Sequence, residues 1–562
     1  MLLPFGNENG IITVNPFVST HKKGSPTMKL HFFGADQCVT GSCHCLEVNG
    51  KKILIDCGLQ QGRDEVDNSS LPFHAGNIDY VLVTHAHIDH SGRIPLLVKQ
   101  GFQGRILTTR LTAQLMDIML QDSAHIQESD AEYKNRKNLR AGRPVVEPLY
   151  TVEDALRVKE FITTCEYGEK VDLCEGVQVE CIDAGHLLGS ASMKLTVTEN
   201  GETRTIVFSG DIGNVDQPII RDPQFFHRAD FVVMESTYGN RNHTEVWSYT
   251  DELAQIIDAT LARGGNVIIP SFAVGRTQEL LYYIREIKER YLVKSSPNFP
   301  VYVDSPLALE ATQIYDEDLG GYADAETVAL LQQGFRPLDV KNLHLCQSAQ
   351  DSMALNTDAT PKVIISSSGM CEAGRIRHHL KHNLWRPECT ILFVGYQAVG
   401  TLGRTLIEGA TDVKLFGEPI EVRAEICQLT GLSGHADKNG LLAWINAFAP
   451  KPKRVFIVHG DDEVENIFAQ TLTDEGFTAC APYNGAQWVI GAEGAVCVQE
   501  GTKARIEHRP SEGAGRAASV FQRLVSAGKR LLRVIEHNEG GANKDLAKFA
   551  DQINALCDKW DR

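Results

Sequence analysis

The sequence has no long apolar run. No stretch approaches the roughly 20 consecutive apolar residues that cross a bilayer, so no membrane association is expected. No export signal is expected either. The first residues, "MLLPFGNENGIITVNPFVSTHKKGSPT", hold no basic segment followed by an apolar one. The 14 cysteines are scattered without a tandem framework and read as reduced thiols of a cytoplasmic protein. Cys43-His44-Cys45 looks like a ligand cluster, yet its alternating apolar neighbours favour a packed strand. There is no basic excess. A net charge of −17 argues against coating nucleic acid through bulk charge. A groove with a local basic lining remains compatible with it. No long internal repeat is present.

What is present is a soluble globular composition, 43% hydrophobic and 23% charged. A chain of 562 residues exceeds one ordinary core and suggests roughly two to four domains. Residues 1–27 read as a loose arm. From Met28 to about 240, short apolar runs bounded by Gly, Asp and Asn read as strands. Examples are "KKILIDCG", "YVLVTH", "TIVFSGD" and "DFVVMES", with helical patterns at 110–130 and 152–164 between some of them. Over 241–430 longer helices alternate with single buried strands, "NVIIPSF", "PVYVDS", "KVIISSS" and "TILFVGY". That alternation predicts a parallel sheet covered by helices. The first style returns over 431–500, so an α/β domain is interrupted by a second one. Residues 501–562 read as a linker followed by a helical tail, with an apolar face near 517–535 that is open to self-association as a homodimer or to RNA contact.

The feature that points to chemistry is "THAHIDHSG" at 84–92. Histidine is scarce, 19 in all, yet His85, His87 and His90 stand with Asp89 within six positions. On a helix His87 would leave the shared face of His85 and Asp89; on a strand His90 would. Only a tight turn lets all four converge. Zinc accepts imidazole nitrogen and carboxylate oxygen, and four clustered ligands can serve two ions. His186 in "DAGHLLGSAS", Asp211 in "VFSGDIGN" and His459 in "VFIVHGDD" could supply the missing ligands, since each sits in a Gly-containing loop or at the end of an apolar strand. Asp56 in "LIDCG" shares that placement and suits an acceptor that orients a metal-bound histidine.

Taken in order, Asp56, "HAHIDH", His186, Asp211, "MESTYG" with Glu235, "SGHAD" with His435 and "VHGD" with His459 resemble the metallo-β-lactamase superfamily. Within it they resemble the β-CASP nucleases, and "PSFAVGRTQELL" and "SSSGMCEAGRIRHHL" extend the likeness over roughly 28–495. The chain is most similar to bacterial and archaeal relatives of the cleavage and polyadenylation endonuclease subunit. The resemblance implies an αββα sandwich with an inserted α/β domain. It implies two Zn²⁺ ions, with Mn²⁺ the other cation that suits the sites. One would be held by His85, His87 and His186 and the other by Asp89, His90 and His459, with Asp211 between them. A hydroxide bridging the two would attack an RNA phosphodiester and leave 5′-phosphate and 3′-hydroxyl ends. His435 would be the general acid, kept protonated by Glu235. Ser433 would donate to the scissile phosphate, although Ser433 or Asp437 also suits an ordinary helix cap.

The inserted domain is expected to wall an RNA cleft. Ser368 and Gly369 could present backbone N–H groups to a phosphate, and Arg276, Arg375 and Arg377 could pair with phosphates, unless each is an ordinary salt bridge. His378, His379 and His382 read as helix-surface or packing residues. The basic run at 134–143 reads as a solvated loop rather than a nucleic-acid contact. Three alternatives compete with a ribonuclease of single-stranded RNA. Small-molecule hydrolases of this fold lack the long insert. DNA-processing members typically lack a histidine where this chain has His459. Scaffold members have lost ligands that are all present here. No KH-like segment, which many archaeal members carry, is read before the catalytic region, and endonuclease against 5′ exonuclease action stays open.

Overall fold

β-branched and aromatic residues fit a half-buried pleat, and the apolar runs quoted above become strands in the structure, a computed structural model. It describes residues 28–61, 67–244, 248–317, 319–398, 400–429, 431–503, 531, 535 and 543–560. The arm over 1–27, the linker from 504 and, apart from Leu531 and Ile535, the apolar face near 517–535 lie outside the described residues.

Residues 1–504 form one unit built on three main sheets. An eight-stranded sheet runs from Ala495–Gln499 through Gln487–Ile490, Lys29–Phe32, His44–Val48, Lys51–Ile55, Tyr80–Leu82 and Arg105–Thr109 to Ile162–Cys165. A seven-stranded sheet runs from Ala479–Cys480 through Arg454–Val458, Phe231–Glu235, Glu202–Phe208, Ala191–Glu199 and Val177–Asp183 to Lys170–Cys174. The two share a core in which Leu30, Phe32, Ile53 and Leu82 meet Val179, Met193, Phe208 and Phe456. Helices cover the outer faces: Ile94–Lys99 and Arg110–Arg140 on one side, Lys438–Asn446 and Asp462–Asp474 on the other. This is the expected αββα sandwich.

The third sheet is parallel throughout, in the order Leu343–Leu345, Val301–Val303, Val363–Ser366, Val267–Pro270, Thr390–Phe393, Glu425–Gln428. It lies in sequence between two strands that pair in parallel, with Phe231 opposite Arg454 and Glu235 opposite Val458. The chain therefore leaves the sandwich after Glu235 and returns beside the strand it left. The Cys43–Cys45 stretch enters a strand, as expected.

Two local expectations fail. Residues 134–140 continue the helix that starts at Arg110, because Lys, Asn, Arg and Leu extend a helix that Thr109 caps. The helical reading of 152–164 ends early. Val152–Arg157 is helical, but β-branched Ile162, Thr163 and Thr164 form a strand parallel to Arg105–Thr109. Residues 505–562 form a second unit, in which Asn543–Trp560 is a helix. Among the described residues no helix is long and apolar enough to cross a membrane.

Candidate metal centre

The strand Tyr80–Leu82 ends just before the histidine cluster, and Ile88–Ser91 makes a single helical turn. That turn lies against Gly58 so closely that a Cβ there would stand 1.6 Å from the Asp89 carbonyl oxygen. Only glycine allows the approach. Asp56, two residues earlier, takes a left-handed backbone at φ +60°. Its carboxylate accepts 2.8 Å and 2.9 Å hydrogen bonds from the Thr84 amide and hydroxyl. It also accepts one of 2.7 Å from His90 Nδ1. His90 Nε2 is thereby turned inward.

The side chains converge in two neighbouring groups, His85, His87 and His186 with Asp211, and Asp89, His90 and His459, and Asp211 also faces the second group. In the first, His87 Nδ1 lies 3.0 Å from His85 Nε2 and 3.2 Å from His186 Nε2. Asp211 Oδ2 stands 3.4 Å and 3.5 Å from those same Nε2 atoms. In the second, His90 Nε2 and His459 Nε2 are 3.2 Å apart, with Asp89 Oδ2 3.5 Å from His459. Asp211 Oδ1 faces this pair at 3.2 Å and 3.7 Å and makes no hydrogen bond.

This donor set fits metal ions. His186 Nδ1 donates to the Gly434 carbonyl at 2.9 Å, so Nε2 of the neutral ring is a bare lone pair. Burial holds His85 and His186 well below the ordinary imidazole range and lowers His87, which leaves them neutral, the ligand form. Bare nitrogens that face one another at such distances repel unless a cation lies between them. In the second group burial opposes protonation, but Asp211 and Asp56 push His90 up, and Asp211 and Asp89 do the same to His459. Positive charge is favoured at that point.

Glu235 ends its strand almost fully buried. Its Oε1 accepts from the Ile212 amide at 2.6 Å and from His435 Nδ1 at 3.1 Å, and its Oε2 accepts from the Thr237 amide at 3.1 Å. Burial works against a proton on His435, yet the Glu235 carboxylate outweighs it and pushes the ring up to about 9. The His435 ring packs on His186, with centroids 4.5 Å apart. Ser433 Oγ accepts from the His435 amide at 3.2 Å. Asp437, not Ser433, caps the helix Lys438–Asn446.

The arginines expected to meet phosphate are engaged within the protein. Arg276 pairs with Glu279 and donates to the Leu432 carbonyl at 2.9 Å. Arg375 donates to Asp304 at 2.7 Å and to the Cys346 and Gln347 carbonyls. Arg377 donates to the Glu372 carbonyl at 3.4 Å. Ser368 and Gly369 lie in the loop after Val363–Ser366, where Ser368 Oγ accepts from the Ala373 amide at 3.4 Å. His379 is buried, with Nε2 2.6 Å from Asp304, a packing role as expected. Sequence reasoning missed Thr84 and Thr237, whose hydroxyls face Asp56 and His459. A threonine at the end of an apolar strand was the available signal.

The chain matches the Metallo-beta-lactamase superfamily over 37–171, the Beta-Casp domain over 277–406 and the Zn-dependent metallo-hydrolase RNA specificity domain over 419–482. It is 37% identical to Ribonuclease TTHA0252 of Thermus thermophilus, over 78% of this chain and 94% of that one. It is 30% identical to the RNase J-like protein of Methanocaldococcus jannaschii, over 79% of this chain and 95% of that one. With the Transcription termination factor FttA of Methanosarcina mazei it shares 31% identity over 75% of its own length, and it spans 65% of that longer protein.

Proposed function

The chain belongs to the metallo-beta-lactamase superfamily, in the branch that carries a Beta-Casp domain, and on that premise we propose that it is a zinc-dependent ribonuclease. One observation carries the reading. Seven ligand-type side chains and a carboxylate–imidazole pair close on one point, in a chain that also matches an RNA specificity domain. His85, His87 and His186 would hold one ion, Asp89, His90 and His459 the other, and Asp211 both. Zn²⁺ suits these nitrogen and oxygen donors, and Mn²⁺ is the second choice. When bound, two such ions supply an activated water at neutral pH and offset the charge of a phosphodiester.

The protein's own residues do the rest. Asp56 fixes the tautomer of His90, and the Gly434 carbonyl fixes that of His186. Glu235 takes the Nδ1–H of His435 and keeps the ring protonated, so that Nε2–H is the proton to be given. Water gives up a proton to solvent and adds its oxygen to phosphorus as the bond from phosphorus to the 3′ oxygen breaks. The electron pair stays on that oxygen, and the His435 proton neutralises it. The ends are a 5′ phosphate and a 3′ hydroxyl. Ser433 Oγ accepts from the His435 amide, which leaves its O–H free to donate to the phosphate.

We read 28–240 and 431–500 as the catalytic sandwich and 241–430 as the wall of an RNA cleft. The substrate is single-stranded RNA, cut internally, with 5′ exonuclease action at the same centre. The test is cleavage of circular and linear forms of one RNA by the full chain, before and after chelation. Both forms should be cut, chelation should stop it, and Zn²⁺ or Mn²⁺ should restore it. A protein that binds metal yet cuts neither form would end the ribonuclease reading; one that cuts only the linear form would end the endonuclease part.

A further inference from the structure

Three loops leave the carboxyl ends of adjacent parallel strands in the insert sheet, after Val363–Ser366, Val267–Pro270 and Thr390–Phe393. From Val267–Pro270 the chain crosses to Val301–Val303 on one side. From Val363–Ser366 it crosses to Thr390–Phe393 on the other. Such a reversal opens a crevice at the strand ends, the place where open α/β sheets take their ligands. Here it adjoins the metal centre. Arg276 donates to the carbonyl of Leu432, one residue before Ser433, and a Cβ on Gly275 would stand 3.0 Å from Leu187, next to His186. Burial raises the Tyr396 phenol, and the charges of Asp461, two residues beyond His459, and of Arg241, six beyond Glu235, act on it as well.

Two of these loops each turn one aromatic ring outward. Phe272 is 50% exposed between buried Ser271 and Ala273, and Tyr396 is 47% exposed beside buried Gln397. Single exposed apolar side chains are common and by themselves mean nothing. These two are set apart by a shared support. A Cβ on Gly369 would meet the Phe272 ring carbons at 3.4 Å, so the Gly369 backbone backs one side of that ring. Gln397 Nε2 donates to the Gly369 carbonyl at 3.0 Å, which ties the Tyr396 loop to the same residue. One glycine thus backs the Phe272 ring and, through Gln397, anchors the loop that carries Tyr396, at neighbouring strand ends.

We propose that Phe272 and Tyr396 are a base-stacking platform that holds unpaired nucleotides next to the scissile phosphate. The proposal rests on the ribonuclease reading for its substrate. Every base has a π-face, so such a platform grips single strands with little sequence preference. Duplex, whose bases already stack on each other, gains nothing from it.

The test uses the full chain with its metal, a single-stranded RNA, and the same RNA with an abasic ribose placed at each position around the cut. Binding is read separately, by fluorescence anisotropy on a phosphorothioate RNA. F272A and Y396A should weaken binding and raise KM roughly five- to hundredfold on intact RNA, whereas F272W and Y396W stay near wild type. One abasic position should weaken the wild type as much as the alanine variant, with no further loss when the two are combined. Alanine variants within about twofold of wild type in both measures would overturn the platform, as would an equal loss on every abasic substrate. If RNA binds in a Phe272-dependent way but is not cut, the ribonuclease reading falls and the platform stands. If wild type and variants cut equally well, the platform alone falls.

Discussion

Replacing Glu235 by glutamine keeps the shape of the side chain and removes its charge. That carboxylate, 3.1 Å from His435 Nδ1, is what raises the ring to about 9 against the cost of burial. Without it the ring falls back toward the ordinary value of about 6.5. A raised imidazole pKa preserves the acid form at neutral pH and loses it only as pH climbs through the raised value. At pH 8 a group with a pKa of about 9 is about 90% protonated, and one of about 6.5 only about 3%. A rate that needs the proton therefore drops about thirtyfold. At pH 6 both rings are mostly protonated, and the variant stays within about a factor of two. The assay is the ratio of kcat/KM, wild type over E235Q, on one RNA from about pH 6 to 9, with bound metal measured alongside. Taking the ratio cancels titrations common to both proteins. A glutamine amide would face the Thr237 amide, donor to donor, so circular dichroism must show an unchanged fold. A ratio that stays flat with pH, at full metal content, would refute the assignment of His435 as the acid held by Glu235.

Three further outcomes follow from the structure. Gly58→Ala places a methyl 1.6 Å from the Asp89 carbonyl and must displace the ligand turn, so metal retained after dialysis should fall along with activity. Asp304→Asn removes the charge that accepts from Arg375, His379 and Ser352, and urea unfolding should show a loss of about 3–5 kcal/mol, as for other broken buried pairs. Burial pushes Asp183 up to about 6 despite the Gly185 amide and Arg221. A raised carboxyl loses stability as pH rises, so between pH 5 and 8 wild type should lose about 1.4 kcal/mol relative to Asp183→Asn in denaturant titrations.

The ligand cluster is legible in the sequence because three imidazoles and a carboxylate within one turn have no packing rationale. The parallel insert sheet is legible for a similar reason. "NVIIPSF" and "KVIISSS" are apolar on both faces, as strands covered by helices must be. Partner choice is much less so. Arg276 and Arg375 look like phosphate clamps until folding brings Glu279 and Asp304 against them. The hydroxyls of Thr84 and Thr237 acquire roles only once Asp56 and His459 are neighbours in space. Residues 162–164 read as helix because periodicity over so few positions is weak, and pairing with Arg105–Thr109 decides the outcome.

The strand that leaves the sandwich at Glu235 and the one that returns at Arg454 touch through Ser236 and Val458, 222 residues apart. That spacing acts as a clock during translation. His85, His87 and His90 leave the ribosome early, but Asp89 and His90 have no His459 to face until the whole insert has been made. Closing so long a loop costs little more than closing a short one, because the penalty grows with the logarithm of length. The half-made chain is thus without a complete centre, and the message from which it is read meets no working enzyme on that ribosome until the return strand has docked.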